Sequence, residues 1–332
     1  MYEKTTSSLL KWVESHHQGN GVYLSNANHP VWGVMNDHLL PHTFHYYGII
    51  LSYLNLYKRL NNPLYLQKAT EAGDALCFLQ RFTGQFRYDT FEFNTPRPQG
   101  LTLIHDALPS IALLELYRLT KNERYLQVAK KNIAWFFTRL WNGTYLTGCV
   151  NQDLCAAEAL SKLYTIEKKE VLKERASKIA NIFLSLQIPE GNLQGGFIRG
   201  FHEKNIVIPW YDAKTARSYL HLSQDLNTES YHQSAIKTSH FLKKNLSKKG
   251  LTHWYRHKEQ WKETKEPYLI APSGEIYLLQ HELNQKVSPL LLKTQQKDGS
   301  FPMSTSHQPP NLGWNQWMLL YLTSITSKES AI

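Results

Sequence analysis

The sequence predicts an all-α protein, a single ring of helical hairpins closed by pairing the two ends of the chain. Three observations predict it. A two-helix unit recurs five times along the 332 residues. The units end on similar tails, in which a glutamine or histidine is followed by glycine and then an aromatic residue. The helices left over at the two termini are the two halves of a sixth unit, and a repeat array that closes on itself leaves no apolar end face exposed.

The clearest unit spans 105–148. Ile111, Leu114, Leu116 and Leu119 lie at helical spacing, "TKNER" interrupts them, and Tyr125, Leu126, Ala129, Ile133, Phe136 and Phe137 resume the period. Gly143 stops the second helix and "TYLTG" reads as a short extended piece. The same plan fits 44–89, where "LNNP" makes the break, then 152–187, 211–256 and a shorter copy at 273–302. The tails are "LCFLQRFTGQFRYD", "LSLQIPEGNLQGGFIRG", "KTQQKDGSFPMS" and, more loosely, "LKWVESHHQGNGVYLS". Glycine supplies the stop and the aromatic packs back on the ring. Asp298 belongs to an Asp-Gly turn pair and is read as a turn residue. Residues 312–325 form a first-helix segment and 5–25 a second-helix segment, so the N-terminal helix is expected to close the ring against the C-terminal one. The expectation is one domain over 1–332 with about twelve helices.

Composition narrows the function classes. Hydrophobic residues at 42% and charged residues at 19% describe a globular chain with a sizeable core. Nine Trp and nineteen Tyr exceed what a core needs, so part of them is expected to line a cleft. Thirty-seven Lys and Arg against 27 Asp and Glu favour an anionic partner. The densest basic group, "KKNLSKKG" at 243–250, reads as a solvated helix end, and no nucleic-acid motif is present. Cys77, Cys149 and Cys155 have no metal-type spacing and are expected to be reduced. No apolar run approaches the roughly 18 residues of a membrane span, and the first thirty residues show no leader pattern; the expectation is a cytoplasmic protein without membrane insertion. No cofactor and no metal are expected.

The unit "IALLELYRLTKNERYLQVAKKNIAWFF" and the Q-x-x-x-G-x-F endings resemble the (α/α)6 toroid of the six-hairpin glycosidase superfamily. That group includes unsaturated glucuronyl and rhamnogalacturonyl hydrolases, the N-acylglucosamine 2-epimerase type and several polysaccharide lyases. The endings are also similar to those of prenyltransferase and terpene-cyclase toroids, but the D-x-D-D and D-D-x-x-D patterns and a zinc-binding Cys and His set are missing. The resemblance implies a carbohydrate-active protein, suited to making or trimming an exopolysaccharide.

In such a ring the starts of the first helices gather at one mouth. Asp37, Asp106, Asp153 and Asp212 recur there, with Glu275 in the fifth unit. Helix capping alone could explain each acid. Their company of His38, His105, Trp210, Tyr211, Trp314 and Trp317 favours a functional cavity. The leading expectation is hydrolysis of an acidic oligosaccharide or polysaccharide with Asp106 and Asp153 as acid and base, since glycoside cleavage needs two carboxyl groups with separated pKa values. In unsaturated glucuronyl hydrolases, which the chain resembles, a catalytic Asp stands at such a helix start. Asp37, His38, His45, Arg87, His105, Arg199, Trp210, Tyr211, Asp212, Arg217, Trp254, Arg256, Glu275, Trp314 and Trp317 are expected to bind substrate, because guanidinium groups pair carboxylates and aromatic rings stack on sugar faces. His38, His42 and His45 have metal-like spacing, but Pro41 interrupts them and proton transfer is the preferred reading. Two rival readings stay open. One is a lyase or epimerase using His45, His105, Tyr211 or His253; the other is a non-catalytic glycan-binding scaffold.

Overall fold

A computed structural model describes residues 2–25, 41–86, 103–257, 260–264, 267–287, 290–305 and 310–325. The helices are α1 (Tyr2–Glu14), α2 (Thr43–Leu60), α3 (Pro63–Phe78), α4 (Ile104–Thr120), α5 (Glu123–Leu140), α6 (Val150–Glu167), α7 (Glu170–Leu184), α8 (Pro209–Leu226), α9 (Glu229–Asn245), α10 (Gly274–Glu282) and α11 (Leu312–Ser324). Neighbour packs on neighbour in the order α2, α4, α6, α8, α10, α11 and back to α2, which closes an inner ring. The hairpin partners α3, α5, α7 and α9 lie outside it, and α1 packs on α11 as the sixth partner. The (α/α)6 toroid and its closure by the two chain ends are therefore as expected.

Inner and outer helices differ in pattern because only the outer ones meet water. Every residue of α6 from Val150 to Leu163 is buried. By contrast α5 buries Tyr125, Ala129, Ile133 and Phe136 and exposes Gln127, Lys131 and Thr138. The polar breaks are two-residue devices. Asn61 and Lys121 take the left-handed conformation that ends the inner helix, at φ 49° and 57°. The next residue, Asn62 or Asn122, then caps the outer helix by accepting from the N–H of Leu64 or Arg124. Pro109 inside α4 removes the N–H that His105 O would have received, and the Thr43 hydroxyl donates to that carbonyl at 3.2 Å.

The repeated tail is a clamp between units. Its glutamine amide donates both to its own turn and to the next outer helix: Gln80 to Gly84 O and Val128 O, Gln187 to Gly195 O and Ser234 O, Gln295 to Gly299 O and Thr5 O. The glycine presses on that helix three residues further along. A Cβ at Gly84, Gly195 or Gly299 would lie 2.6, 2.4 or 2.2 Å from the carbonyl oxygen of Lys131, Lys237 or Ser8. The aromatics that follow, Tyr23, Phe86, Phe197 and Phe301, are all fully buried.

Two features depart from expectation. Beyond the fourth hairpin the chain forms an antiparallel hairpin of β2 (Trp254–His257) and β3 (Gln260–Glu263), which the helical repeat does not predict, and β1 (Ile206–Val207) pairs with the other edge of β2. These strands are too short and too exposed to leave a clear alternation in the sequence. The outer partner of the fifth hairpin is a 3-10 stretch, Leu290–Thr294, in place of a full helix.

Gly195→Ala and Gly191→Ala separate clash from backbone strain. Both glycines have positive φ, at 89° and 81°, but nothing lies within 4 Å of a Cβ at Gly191. Denaturant unfolding is expected to show a loss of about 1–2 kcal/mol for Gly191→Ala and clearly more for Gly195→Ala. Equal losses would contradict the clamp.

Candidate functional site at the ring mouth

The first-turn aspartates Asp106, Asp153 and Asp212 are bound to the chain segments outside the inner ring, unlike the first-turn Glu275. Asp106 shares a face of α4 with Ser110, and both reach Asn132 of the outer helix α5, at 2.7 and 2.8 Å. The Phe86 N–H donates to Asp106 Oδ1 at 2.9 Å. Asp153 accepts from the N–H groups of Leu146 and Thr147 and from the Thr147 hydroxyl. Asp212 accepts from the Phe197 N–H at 3.1 Å, and Asn315 does the same for Phe301 at 2.7 Å. In α2 the equivalent is His45, whose Nε2 lies 3.1 Å from Tyr23 O. These side chains fasten each tail to the inner helix that follows. The expected acid and base, Asp106 and Asp153, thus stand on outward faces of consecutive inner helices and not opposite one another across a cleft.

Burial raises all three carboxyl pKa values. Asp106 is pushed up to about 7 and Asp153 to about 6, against the opposing pull of the N–H groups they accept, and Asp212 goes well above the ordinary range. Burial likewise holds His45 neutral, well below the ordinary imidazole value.

What faces the axis is an aromatic mouth over a charged floor. On one side Phe44 meets His105 at 4.8 Å, Trp314 at 6.1 Å and Trp317 at 6.0 Å between ring centres. On the other, Tyr211 lies under the Arg199 guanidinium at 5.7 Å and beside Trp210 at 5.5 Å, with His253 6.1 Å from Trp210. Trp254 and Arg256 sit on β2, next to His253, and Arg256 is exposed. Asp37, His38 and Arg87 lie outside the described residues. Lys214 of α8 reaches across the ring to within 5.7 Å of the Tyr47 ring centre on α2, the inner helix opposite.

Buried polar atoms without a hydrogen-bond partner among the described residues occur in the first two turns of most inner helices: His45 Nδ1 and Tyr47 Oη on α2, Asp106 Oδ2 on α4, Gln152 Oε1 on α6, Trp210 Nε1 and Thr215 Oγ1 on α8, and Glu275 Oε2 on α10. A buried polar atom of this kind is a place for an ordered water or for a polar group of a ligand.

Below the floor runs a column of ionisable side chains, buried at Glu158, Lys214, Arg217 and Glu275 and partly exposed at His221 and Glu282. Glu158 accepts from Lys214 Nζ and the Ser218 hydroxyl, each at 2.7 Å, and His221 Nδ1 lies 2.7 Å from its other oxygen. Arg217 donates to Glu275 at 2.9 Å and forks onto Glu282 at 2.9 and 2.8 Å. Burial opposes charge throughout, but Lys214 and His221 hold Glu158 well below the carboxylate range, and Arg217 and His221 do the same for Glu282. At Glu275 burial wins over Arg217 and the pKa is raised. Arg217 and Glu275, expected to bind substrate, are thus joined to each other. The sequence reading did not assign Glu158, Ser218, His221 or Glu282 to the site. Their signal was Lys214, Ser218 and His221 at helical spacing in a segment with no exposed face. Among the described residues no group of three or more His, Cys, Asp or Glu could hold a metal ion. No described helix is long and apolar enough to cross a membrane.

No protein-family model and no curated protein matches the sequence. Solved structures do match in fold over almost the whole chain. Cellobiose 2-epimerase from Bacillus thermoamylovorans superposes with a TM-score of 0.70 at 15% identity, over 98% of each chain. An unsaturated glucuronyl hydrolase specific for heparin gives 0.67 at 13%, over 100% of this chain and 98% of that one. An inactive variant of an α-1,6-mannanase from Salegentibacter, with two consecutive aspartates replaced by asparagine and α-1,6-mannotriose bound, gives 0.64 at 12%, over 98% of each. The chain is an (α/α)6 toroid of the six-hairpin type, and at these identities the likeness is one of fold. No two consecutive aspartates occur in this sequence.

Asp106→Asn tests the tie. Asn315 already fills the equivalent position in α11, so the variant is expected to fold, whereas Asp106→Ala is expected to lose about 1–3 kcal/mol by leaving the Phe86 N–H unpaired. The pKa of Asp106 is raised on folding, from about 3.9 in an unfolded chain. The stability linked to it is therefore complete below about pH 4 and fades as pH rises through 7. Urea melts should show Asp106→Asn gaining on wild type between pH 5 and pH 8. Identical pH slopes would remove the assignment.

Proposed function

We propose that the protein is a carbohydrate-active enzyme that works in the mouth of the ring by proton transfer, with Glu275 as the proton donor of the floor. The observation that carries this reading is Glu275, whose partnerless Oε2 lies within electrostatic reach of the likewise partnerless Tyr47 phenol, below a rim of aromatic rings. Sugars offer hydroxyl groups to such atoms and C–H faces to such rings. A carboxyl group with one oxygen fixed by Arg217, the other unpartnered, and a raised pKa has the properties of a general acid.

The outward placement of Asp106 and Asp153 favours the epimerase or lyase reading over cleavage by that pair. Both of those chemistries remove a proton from carbon. His253, kept neutral by burial, and His105 at the opposite rim supply candidate bases, and Arg199 above Tyr211 supplies a cation for an acidic sugar. The fold neighbours include an epimerase and a hydrolase of uronate-type substrates, which is consistent with a carbohydrate in the mouth. A cytoplasmic place in making or trimming an exopolysaccharide is part of the same proposal, as is an acidic glycan as the partner.

Incubation in D2O with reducing disaccharides and with uronate oligosaccharides, read by mass spectrometry, tests the reaction class. The expectation with wild type is deuterium on carbon for epimerisation, or cleavage to an unsaturated product without uptake of water for a lyase, with a loss of about 100-fold or more in Glu275→Gln and retention in Asp106→Asn. Cleavage with uptake of water and no new double bond would point to hydrolysis. Binding without any product would point to the scaffold reading.

A further inference from the structure

The ion column has an uneven count. Glu158, Glu275 and Glu282 face two permanent cations, Lys214 and Arg217, so three carboxylates meet two positive charges in a place that is buried except at Glu282, whose side chain is 25% exposed. The ions beyond it toward the far end of the ring are already matched. Lys162 pairs with Asp225 at 3.2 Å and Arg118 with Glu115 at 2.9 Å. A buried column of this kind is neutral only if it takes up one more proton.

Two places can hold that proton. One is His221, which faces Glu158 from α6 at 2.7 Å and Glu282 from α10 at 3.6 Å. The other is Glu275, which faces Arg217 and Lys214 from α8, the Tyr47 phenol from α2 and Glu282 on its own helix. Arg217 spans the two carboxylates Glu275 and Glu282, so a change of charge at His221 is felt at the mouth through one guanidinium.

We infer that His221 is a positioning residue for the mouth: by holding or releasing the one proton the column needs, it sets whether Glu275 stands as an acid or as a carboxylate. This rests on the proposed role of Glu275, but the coupling itself can be read without any substrate. Both groups have pKa values raised from their ordinary ranges, as expected for sites that share one proton: at His221 the pull of Glu158 and Glu282 outweighs burial, and at Glu275 burial outweighs Arg217.

The test is an NMR titration of 13C-labelled histidine, with the His221 signal assigned by its absence in His221→Gln. Glu275→Gln removes a negative charge and evens the count, so the His221 midpoint is expected to fall by about one pH unit or more. Lys214→Met removes a positive charge, and the midpoint is expected to rise. Opposite shifts are the signature, because general loosening of the core would not give them opposite signs. A midpoint unmoved in both variants, or moved the same way in both, overturns the inference. With a substrate in hand, His221→Gln is expected to displace the pH profile of turnover upward while leaving KM nearly unchanged, and an unchanged profile also overturns it. Opposite midpoint shifts with no turnover of any saccharide would uphold the coupling and overturn the proposed catalytic role of Glu275.

Discussion

The hydrogen bond from each tail to the first turn of the next inner helix is the constraint on which the rest depends. Phe86 on Asp106, Phe197 on Asp212 and Phe301 on Asn315 are three copies of one joint, and the paired N–H groups of Leu146 and Thr147 on Asp153 are a fourth. Each joint fixes where an inner helix begins relative to the outer helix before it. The glutamine and glycine of the same tail fix the outer helix that comes next. With both settled, consecutive hairpins can only step around a circle, and the starts of the six inner helices come together at one end.

That geometry makes the axis a distinctive environment. Along it α6, α8 and α10 present charged side chains away from water, an arrangement that contributes little net stability but is costly to break once formed. Lys214 crosses the ring to the Tyr47 ring and forms part of the floor beneath the aromatic rim. Above that floor stand aromatic rings from α2 and α11 on one side and from α8 on the other, and Tyr47 and Glu275 each keep a polar atom unpaired there. The ties on the outward faces and the column on the axis thus divide the ionisable residues of the inner helices into those that build the ring and those that face what enters it.

The architecture was legible because the repeat is written in residues with few substitutes. Gln80, Gln187 and Gln295 need both amide hydrogens, and Gly84, Gly195 and Gly299 need a positive φ beside a carbonyl oxygen, so the same letters recur at the same places. The site was legible only in part. Asp106, Asp153 and Asp212 recur for the same structural reason as the glycines, and recurrence at a helix start made a joint look like a converging set of catalytic acids. Glu158 and His221 were hidden the opposite way: they do not recur from unit to unit, and a lone charge in an inner helix carries no mark of which way it points. Trp210, Tyr211, Trp314 and Trp317 were legible as an aromatic cluster at helix starts, and the binding role proposed for them rests on the rim they form with Phe44 and His105, since Trp210 and Trp317 also belong to the core.

The central claim is that the mouth over Tyr47, Lys214 and Glu275 is where a ligand enters. A crystal structure of the protein soaked with a short oligosaccharide tests it most directly. The account predicts a sugar ring against Phe44, Trp314 or Tyr211 with a hydroxyl within hydrogen-bond distance of Glu275 Oε2 or Tyr47 Oη. A saccharide bound instead at the Asp106 or Asp153 carboxylate, with the Phe86 or Leu146 joint opened to admit it, would contradict the account and return those acids to the chemistry.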